Sequence, residues 1–372
     1  MNPVVQYAAV GLGRASVDSG LAERLANPVP QAGALGGPDL VVIYLEGLER
    51  RYGDTAIWGD AYAPLAELAR EGLEFTDIGQ SAGTGWSLAG MVASQCGVPL
   101  VANGFRFKNN YTEQTDFLTG RVCLGDMLAA RGYDMEYIVG GDLEFAGINH
   151  FYASHGVRDQ LGKRQIEALH PADFIAKATI DWVLDDELIF ETAKARYGAL
   201  ATGPSPVALF VETIGPHGAT AYLSRRCSDD GQARKSGDLA RVVRCTSDDT
   251  HHAVRAIQAE AAARGRDLRI VLMSDHLSHH VGDPEWERRV PRRNTVIFLG
   301  GAWAGSVNDR AGTMVDVYPT LLDWLGFAAR PVRGGLGVSL LSDQHSLVAE
   351  LGLEAFDEAL MFDPALSTAI WR

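Results

Sequence analysis

The sequence predicts an α/β protein with a doubly wound, mainly parallel sheet and helices on both faces. Three observations carry this. Short, continuous apolar and β-branched runs recur along the chain, helical patterns lie between them, and their spacing suits right-handed crossovers. In order, residues 1–37 are rich in Ala, Gly, Pro and Ser and end in Gly36-Gly37 before Pro38, a lead-in to the core. Asp39–Leu45 is, after its first residue, an unbroken apolar run, the pattern of a strand buried on both faces. A helix is expected over Ala63–Glu71, a short strand over Leu73–Thr76, and a helix over Trp86–Ser94 that stops before Gly97 and Pro99. Further strands are expected at Met135–Val139, Val207–Val211, Leu268–Ser274 and Thr295–Leu299. Helices are expected at Val122–Arg131, Pro171–Leu184 and Ser247–Arg264. Residues 225–244 read as a polar surface excursion, and the stretch from Gly335 as a peripheral tail. This divides the chain into a lead-in (1–37), a main α/β domain (38–334) and a C-terminal peripheral segment (335–372).

With 372 residues the chain is long enough for one large α/β domain or two modest ones. Its net charge of −14 repels phosphate backbones and anionic lipid, which argues against a nucleic-acid-binding role. No apolar run approaches the roughly 20 residues needed to span a bilayer. Met1-Asn2-Pro3-Val4-Val5 lacks the basic start and apolar core of a signal peptide. The four cysteines (Cys96, Cys123, Cys227, Cys245) show no CxxC spacing and read either as free thiols or as two bridges.

In such a sheet, chemistry sits beyond the carboxyl ends of the strands. The Leu268–Ser274 strand ends in Asp275-His276, an O-donor beside an N-donor, which suits a divalent ion such as Mn²⁺ or Zn²⁺. The alternative is a solvated polar turn; His279 and His280 are nearby further candidates. Glu46 ends the first strand, where a buried carboxylate needs a cation or donors. It is either a metal ligand or an ordinary strand-end acid. Thr84, between Gly83 and Gly85, stands where a helix is expected to begin. Threonine there is either an N-cap or a nucleophile, its hydroxyl activated by a metal beside a helix N-terminus.

As a set, these segments resemble the bacterial phosphoglycerol transferases that decorate osmoregulated periplasmic glucans. They are more distantly similar to the lipoteichoic acid synthases of the alkaline phosphatase/sulfatase superfamily. The matching pieces are Leu40–Arg50, Gly83–Trp86 through Met91–Leu100, Val122–Leu128, Phe145–Gly147, Ser274–Leu277 and Met314–Leu321, in family order over roughly residues 38–330. The resemblance implies a metal site of Glu46, Thr84, Asp275 and His276, with Thr84 also the nucleophile. It implies Mn²⁺, with Zn²⁺ or Mg²⁺ as alternatives, phosphatidylglycerol as donor and a periplasmic glucan as acceptor. With water as acceptor, the same site would be a phosphodiesterase.

Two positions depart from the family pattern. Ile214 and Gly215 follow Thr213 where relatives place histidine, leaving His217 as the candidate for substrate binding. Ile148 follows Phe145-Ala-Gly where relatives usually have lysine; Asn149, His150 and His155 are nearby substitutes, or structural residues. A sulfatase activity is disfavoured, because Thr84-Gly-Trp-Ser lacks the Cys/Ser-x-Pro-x-Arg context. A catalytically dead glycan- or lipid-binding module is the reading from another class. The resemblance also implies the bridges Cys227–Cys245 and Cys96–Cys123, and an extracytoplasmic location. Relatives usually carry N-terminal membrane helices, so the expectation is a domain cut from a longer anchored protein, or a soluble family member.

Overall fold

The structure is a computed structural model that describes residues 17–31, 35–100, 111–217, 221–279 and 290–372. Eight strands form the central sheet: β1 (Asp39–Leu45), β2 (Leu73–Phe75), β3 (Asp134–Val139), β4 (Asp159–Leu161), β5 (Val207–Glu212), β6 (Leu268–Ser274), β7 (Val296–Leu299) and β8 (Ser306–Asn308). Their order is β8-β2-β7-β6-β1-β5-β3-β4. The run β6-β1-β5-β3-β4 is parallel, and β7 is antiparallel to both β6 and β2.

Alternation along β1 explains why its whole run is apolar, because successive side chains point to opposite faces. Leu40, Val42 and Tyr44 join one core, with α2 (Ser87–Cys96) and α5 (Met314–Leu325). Val41, Ile43 and Leu45 join the other, with α1 (Ala63–Glu71), α3 (Asp186–Leu200) and α4 (Leu239–Ala263). The expected α/β architecture, with helices on both faces, is the one observed.

Several expectations differ in detail. The helix expected over Pro171–Leu184 ends at Ala178, and Thr179–Ile180 and Val183–Leu184 form a small antiparallel pair instead. The next helix, α3, starts afresh behind Asp185, whose carboxylate caps it by accepting from the Leu188 N–H. Helix α4 begins at Leu239, inside the expected excursion, with Asp238 as its cap. Residues from Gly335, expected to be peripheral, bury Leu340, Phe356, Leu360, Leu366 and Ile370 in the first core. The lead-in packs on this segment: Ser19 hydrogen-bonds to Asp363, and Ala26 bridges to Gly335. Both implied disulfides are present, Cys96–Cys123 and Cys227–Cys245. The first ties the end of α2 to the chain entering the Leu124–Ala129 helix. Among the described residues no helix is long and apolar enough to cross a membrane.

Candidate active site

Strand register builds the site. Leu45 pairs with Ser274, so Glu46 and Asp275 leave adjacent parallel strands at the same level. Tyr44 pairs with Glu212 on the other side, which brings Glu212 and Thr213 to that edge too. Gly47 adopts a left-handed backbone (φ 56°), suited to glycine, and turns its N–H onto Asp275 Oδ1 at 2.9 Å. The Glu46 N–H donates to Thr213 Oγ1 at 3.1 Å.

Glu46, Asp275 and His276 are buried, and one ligand atom from each lies within 4.8 Å of the others. His276 Nε2 is 3.2 Å from Glu46 Oε1 and 3.2 Å from Asp275 Oδ2. Asp275 Oδ1 accepts from two backbone N–H groups, whereas the buried Oδ2 has no hydrogen-bond partner. His276 Nδ1 is 2.8 Å from the Leu277 carbonyl, which fixes the ring and aims Nε2 at the carboxylates.

The charges fit a cation site. Burial, reinforced by the Asp275 charge, pushes Glu46 up to about 7. Burial opposes charge on His276, but Asp275 and Glu46 together raise it to about 10. The two carboxylates thus favour positive charge between them. A divalent ion fits the same place, with an orphaned oxygen, a second carboxylate and an oriented imidazole as donors.

Thr84 is buried within the turn leading to α2. Its hydroxyl donates to the Ser81 carbonyl at 2.8 Å, and α2 starts at Ser87 with Trp86, not Thr84, at the N-cap. The capping reading therefore fails. The turn is fixed to the acidic cluster at several points. The Leu277 N–H donates to Gln80 Oε1 at 2.7 Å, His279 Nε2 lies 3.0 Å from the Gly85 carbonyl, and Ser87 Oγ donates to Glu46 Oε2 at 3.3 Å. From the C-terminal segment, Asp357 accepts from the Ala82 N–H at 2.7 Å. Helix α2 presses on the cluster so closely that a Cβ on Gly90 would sit 1.6 Å from the Asp275 carbonyl oxygen.

The other candidates fall elsewhere. His279 stacks on His276 at 4.4 Å and serves as a buttress; His280 lies outside the described residues. His217 lies beyond the β5 edge with its ring 5.7 Å from Trp182. Ile214 and Ile148 are buried in apolar clusters, so neither side chain faces a ligand. His155 contacts Asp126 and Cys123, a structural setting. Glu212, visible in the sequence as the residue that follows the Val207–Val211 run but given no role there, is a buried carboxylate that accepts from Tyr137 Oη. Burial, joined by the Asp275 and Glu46 charges and opposed by that hydrogen bond, raises it to about 8. Its position at a strand end was visible; its partner, 75 residues upstream, was not.

A family model described as Sulfatase matches residues 38–327. The chain belongs to the sulfatase family. It is 30% identical over 342 residues to phosphoglycerol transferase I of Escherichia coli O6:K15:H31, covering 90% of this chain and 42% of that protein. It is 32% identical over 322 residues to phosphoglycerol transferase I of Xanthomonas campestris pv. campestris strain B100, covering 85% of this chain and 44% of that protein. The chain thus spans less than half the length of these curated relatives. Among solved structures, the lipoteichoic acid synthase LtaP from Listeria monocytogenes superposes with a TM-score of 0.66 at 12% identity, covering 94% of this chain and 96% of that one. An alkaline phosphatase superfamily protein from Vibrio parahaemolyticus gives 0.61 at 20% identity, covering 89% and 77%. Both likenesses establish the fold.

Proposed function

We propose that this protein transfers a phosphoglycerol group from phosphatidylglycerol, or a related donor, to a glycan hydroxyl through a covalent phosphothreonine at Thr84. The observation that carries this reading is the buried Glu46–Asp275–His276 cluster, tied to the Thr84 turn at the carboxyl edge of the sheet. Its similarity to proteins named phosphoglycerol transferase I supports the substrate class. Glu46, Asp275, His276 and the Thr84 oxygen would hold the cation, Mn²⁺ ahead of Zn²⁺ or Mg²⁺. When bound, such an ion supplies Lewis acidity and lowers the pKa of the threonine hydroxyl.

The chain's own residues do the rest. Thr84 Oγ bonds to phosphorus as the bond from phosphorus to the diacylglycerol oxygen breaks, and the threonine proton leaves with diacylglycerol. In the second displacement a glycan hydroxyl oxygen bonds to phosphorus, Thr84 Oγ departs, and the glycan's proton returns to it. The hydrogen bonds from Gly47 and His276 to Asp275 Oδ1 hold that carboxylate in place through both steps. His217, beyond the neighbouring strand, binds substrate. Two disulfides suit an extracytoplasmic setting, where the donor lipid and the glycan would meet.

The test is diacylglycerol release from a fluorescent phosphatidylglycerol with Mn²⁺, with and without a periplasmic glucan. Release that depends on Mn²⁺ and is lost in Thr84→Ala and Glu46→Gln is expected. Release indifferent to the glucan identifies a phosphodiesterase. No release from any anionic phospholipid contradicts the reading.

A further inference from the structure

Two large aromatic rings lie exposed at the same edge of the sheet, away from the acidic cluster. Phe145 is 55% exposed and Trp182 is 43% exposed, and their rings stack at 6.0 Å with an interplanar angle of 27°. His217 meets Trp182 edge-on at 5.7 Å. Three separated segments therefore supply one ring surface.

Its place in the fold is set by backbone contacts. A Cβ on Gly141 would lie 3.3 Å from Trp182, and the Leu184 N–H donates to the Gly140 carbonyl at 2.9 Å. Gly140 and Gly141 directly follow β3, and Val139 pairs with Glu212 of β5. The rings thus follow strands one and two places from β1 in the sheet, on the Glu212 side of Glu46. Among the described residues only Leu118, Ala146 and Asp181 are non-glycine residues with positive φ, and two of these adjoin the exposed rings. Strained backbone beside solvent-facing aromatics marks a functional surface.

The surroundings select the occupant. Asp181 is paired with Lys235 at 2.6 Å and Asp142 with Arg164 at 3.1 Å, so the charges beside the rings are balanced. A cavity of about 350 Å³ takes in Glu144, the residue before Phe145, and is lined by Asp142, Asn149, Arg158, Gln160, Lys163 and Arg164 as well; Arg164 pairs with Asp142 and Lys163 with Glu167, which leaves Glu144 and Arg158 as one charge of each sign. A phosphate would seek a net positive cradle, and an anionic bilayer would be repelled by a chain of net charge −14. An uncharged, hydroxyl-rich ring suits both features: its C–H face stacks on the aromatics and its hydroxyls meet the cavity's mixed polar groups.

The geometry points to Phe145, Trp182 and His217 as a stacking platform for a pyranose ring of the acceptor glycan, with the neighbouring cavity taking the next sugar's hydroxyls. This inference rests on the transfer reading above and names where its acceptor sits.

The test is binding of a neutral β-linked glucose pentasaccharide to the full chain by calorimetry, with thermal unfolding confirming that each variant is folded. Phe145→Ala and Trp182→Ala should each weaken binding about tenfold, the loss of one aromatic contact. Trp182→Phe should restore most of the affinity. Trp303→Ala, an exposed tryptophan outside the platform, should change nothing. Unchanged affinity in the alanine variants, or no binding by the wild type, overturns the proposal. So does ring-dependent binding to phosphatidylglycerol vesicles in place of the sugar, which would mark a membrane contact. Diacylglycerol release is measured separately on the wild type. Ring-dependent sugar binding without release leaves the platform standing and removes the transfer reading; release with ring-independent binding does the reverse.

Discussion

Gly90 is the position where α2 meets the strand end that carries Asp275, and Gly90→Ala is the most specific perturbation the structure offers. The added Cβ would sit 1.6 Å from the Asp275 carbonyl oxygen, whereas ordinary contact begins at 3.4 Å. Helix and strand end must therefore separate by 3.4 − 1.6 = 1.8 Å. Backbone blocks this contact, so no side-chain rotation can relieve it. The same helix begins with Ser87, which hydrogen-bonds to Glu46, so both carboxylates are disturbed together. Overpacking of this kind costs about 1–3 kcal/mol or more. If these carboxylates hold the cation as proposed, mispositioning both should weaken metal binding by about 10–100-fold, the range seen when supporting contacts are lost. The assay is calorimetric titration of the chelated protein with Mn²⁺, alongside thermal unfolding. Gly237→Ala is the control, because nothing lies within 4 Å of a Cβ there. A Gly90→Ala protein that binds Mn²⁺ and melts like the wild type would refute the reasoning.

Other consequences are open to measurement. Glu212, raised from 4.5 to about 8, keeps a proton in the native state that the unfolded chain releases. Stability of the chelated protein should therefore fall as pH rises from about 4.5 to 8. Glu212→Gln should flatten that slope in urea melts across the range, and a slope unchanged by the substitution contradicts the assignment. Thr213→Val strands the buried Glu46 N–H and should cost about 1–3 kcal/mol, together with weaker Mn²⁺ binding; wild-type values for both would count against Thr213 as a support. Replacing Cys227 and Cys245 by serine opens a bridge spanning 18 residues and should cost about 3 kcal/mol in chemical unfolding. An unchanged midpoint would show that the bridge contributes nothing.

Much of the frame was legible because it is local. β1 and β6 were legible from their buried apolar stretches, Leu40–Leu45 and Ile270–Met273, since the middle of a strand covered on both faces has little room for polar side chains. Glu46 and Asp275-His276 stood out as polar residues just past such runs, and the parallel register then brings them together. The role proposed for Thr84 rests on the resemblance of its surrounding block, since its hydroxyl bonds to the Ser81 carbonyl within its own turn. The break after Ala178 was missed, although Asp185 with Asp186 and Glu187 behind it is a helix-start signal of a cap and an acidic first turn. The C-terminal segment was misjudged because short amphipathic helices do not reveal which core they enter. Contacts across long separations, such as Tyr137 with Glu212, Asp357 with Ala82 and Phe145 with Trp182, have no local pattern and required the fold.

One measurement bears on Thr84 most directly. The wild-type protein is incubated with Mn²⁺ and phosphatidylglycerol without glycan, quenched in acid, and analysed by intact mass and peptide mapping. The expected result is a single added phosphoglycerol group on the Thr84 peptide, removed on adding acceptor and absent with chelator or after Glu46→Gln. Diacylglycerol release with an unlabelled Thr84, or a label carried by another residue, would contradict it.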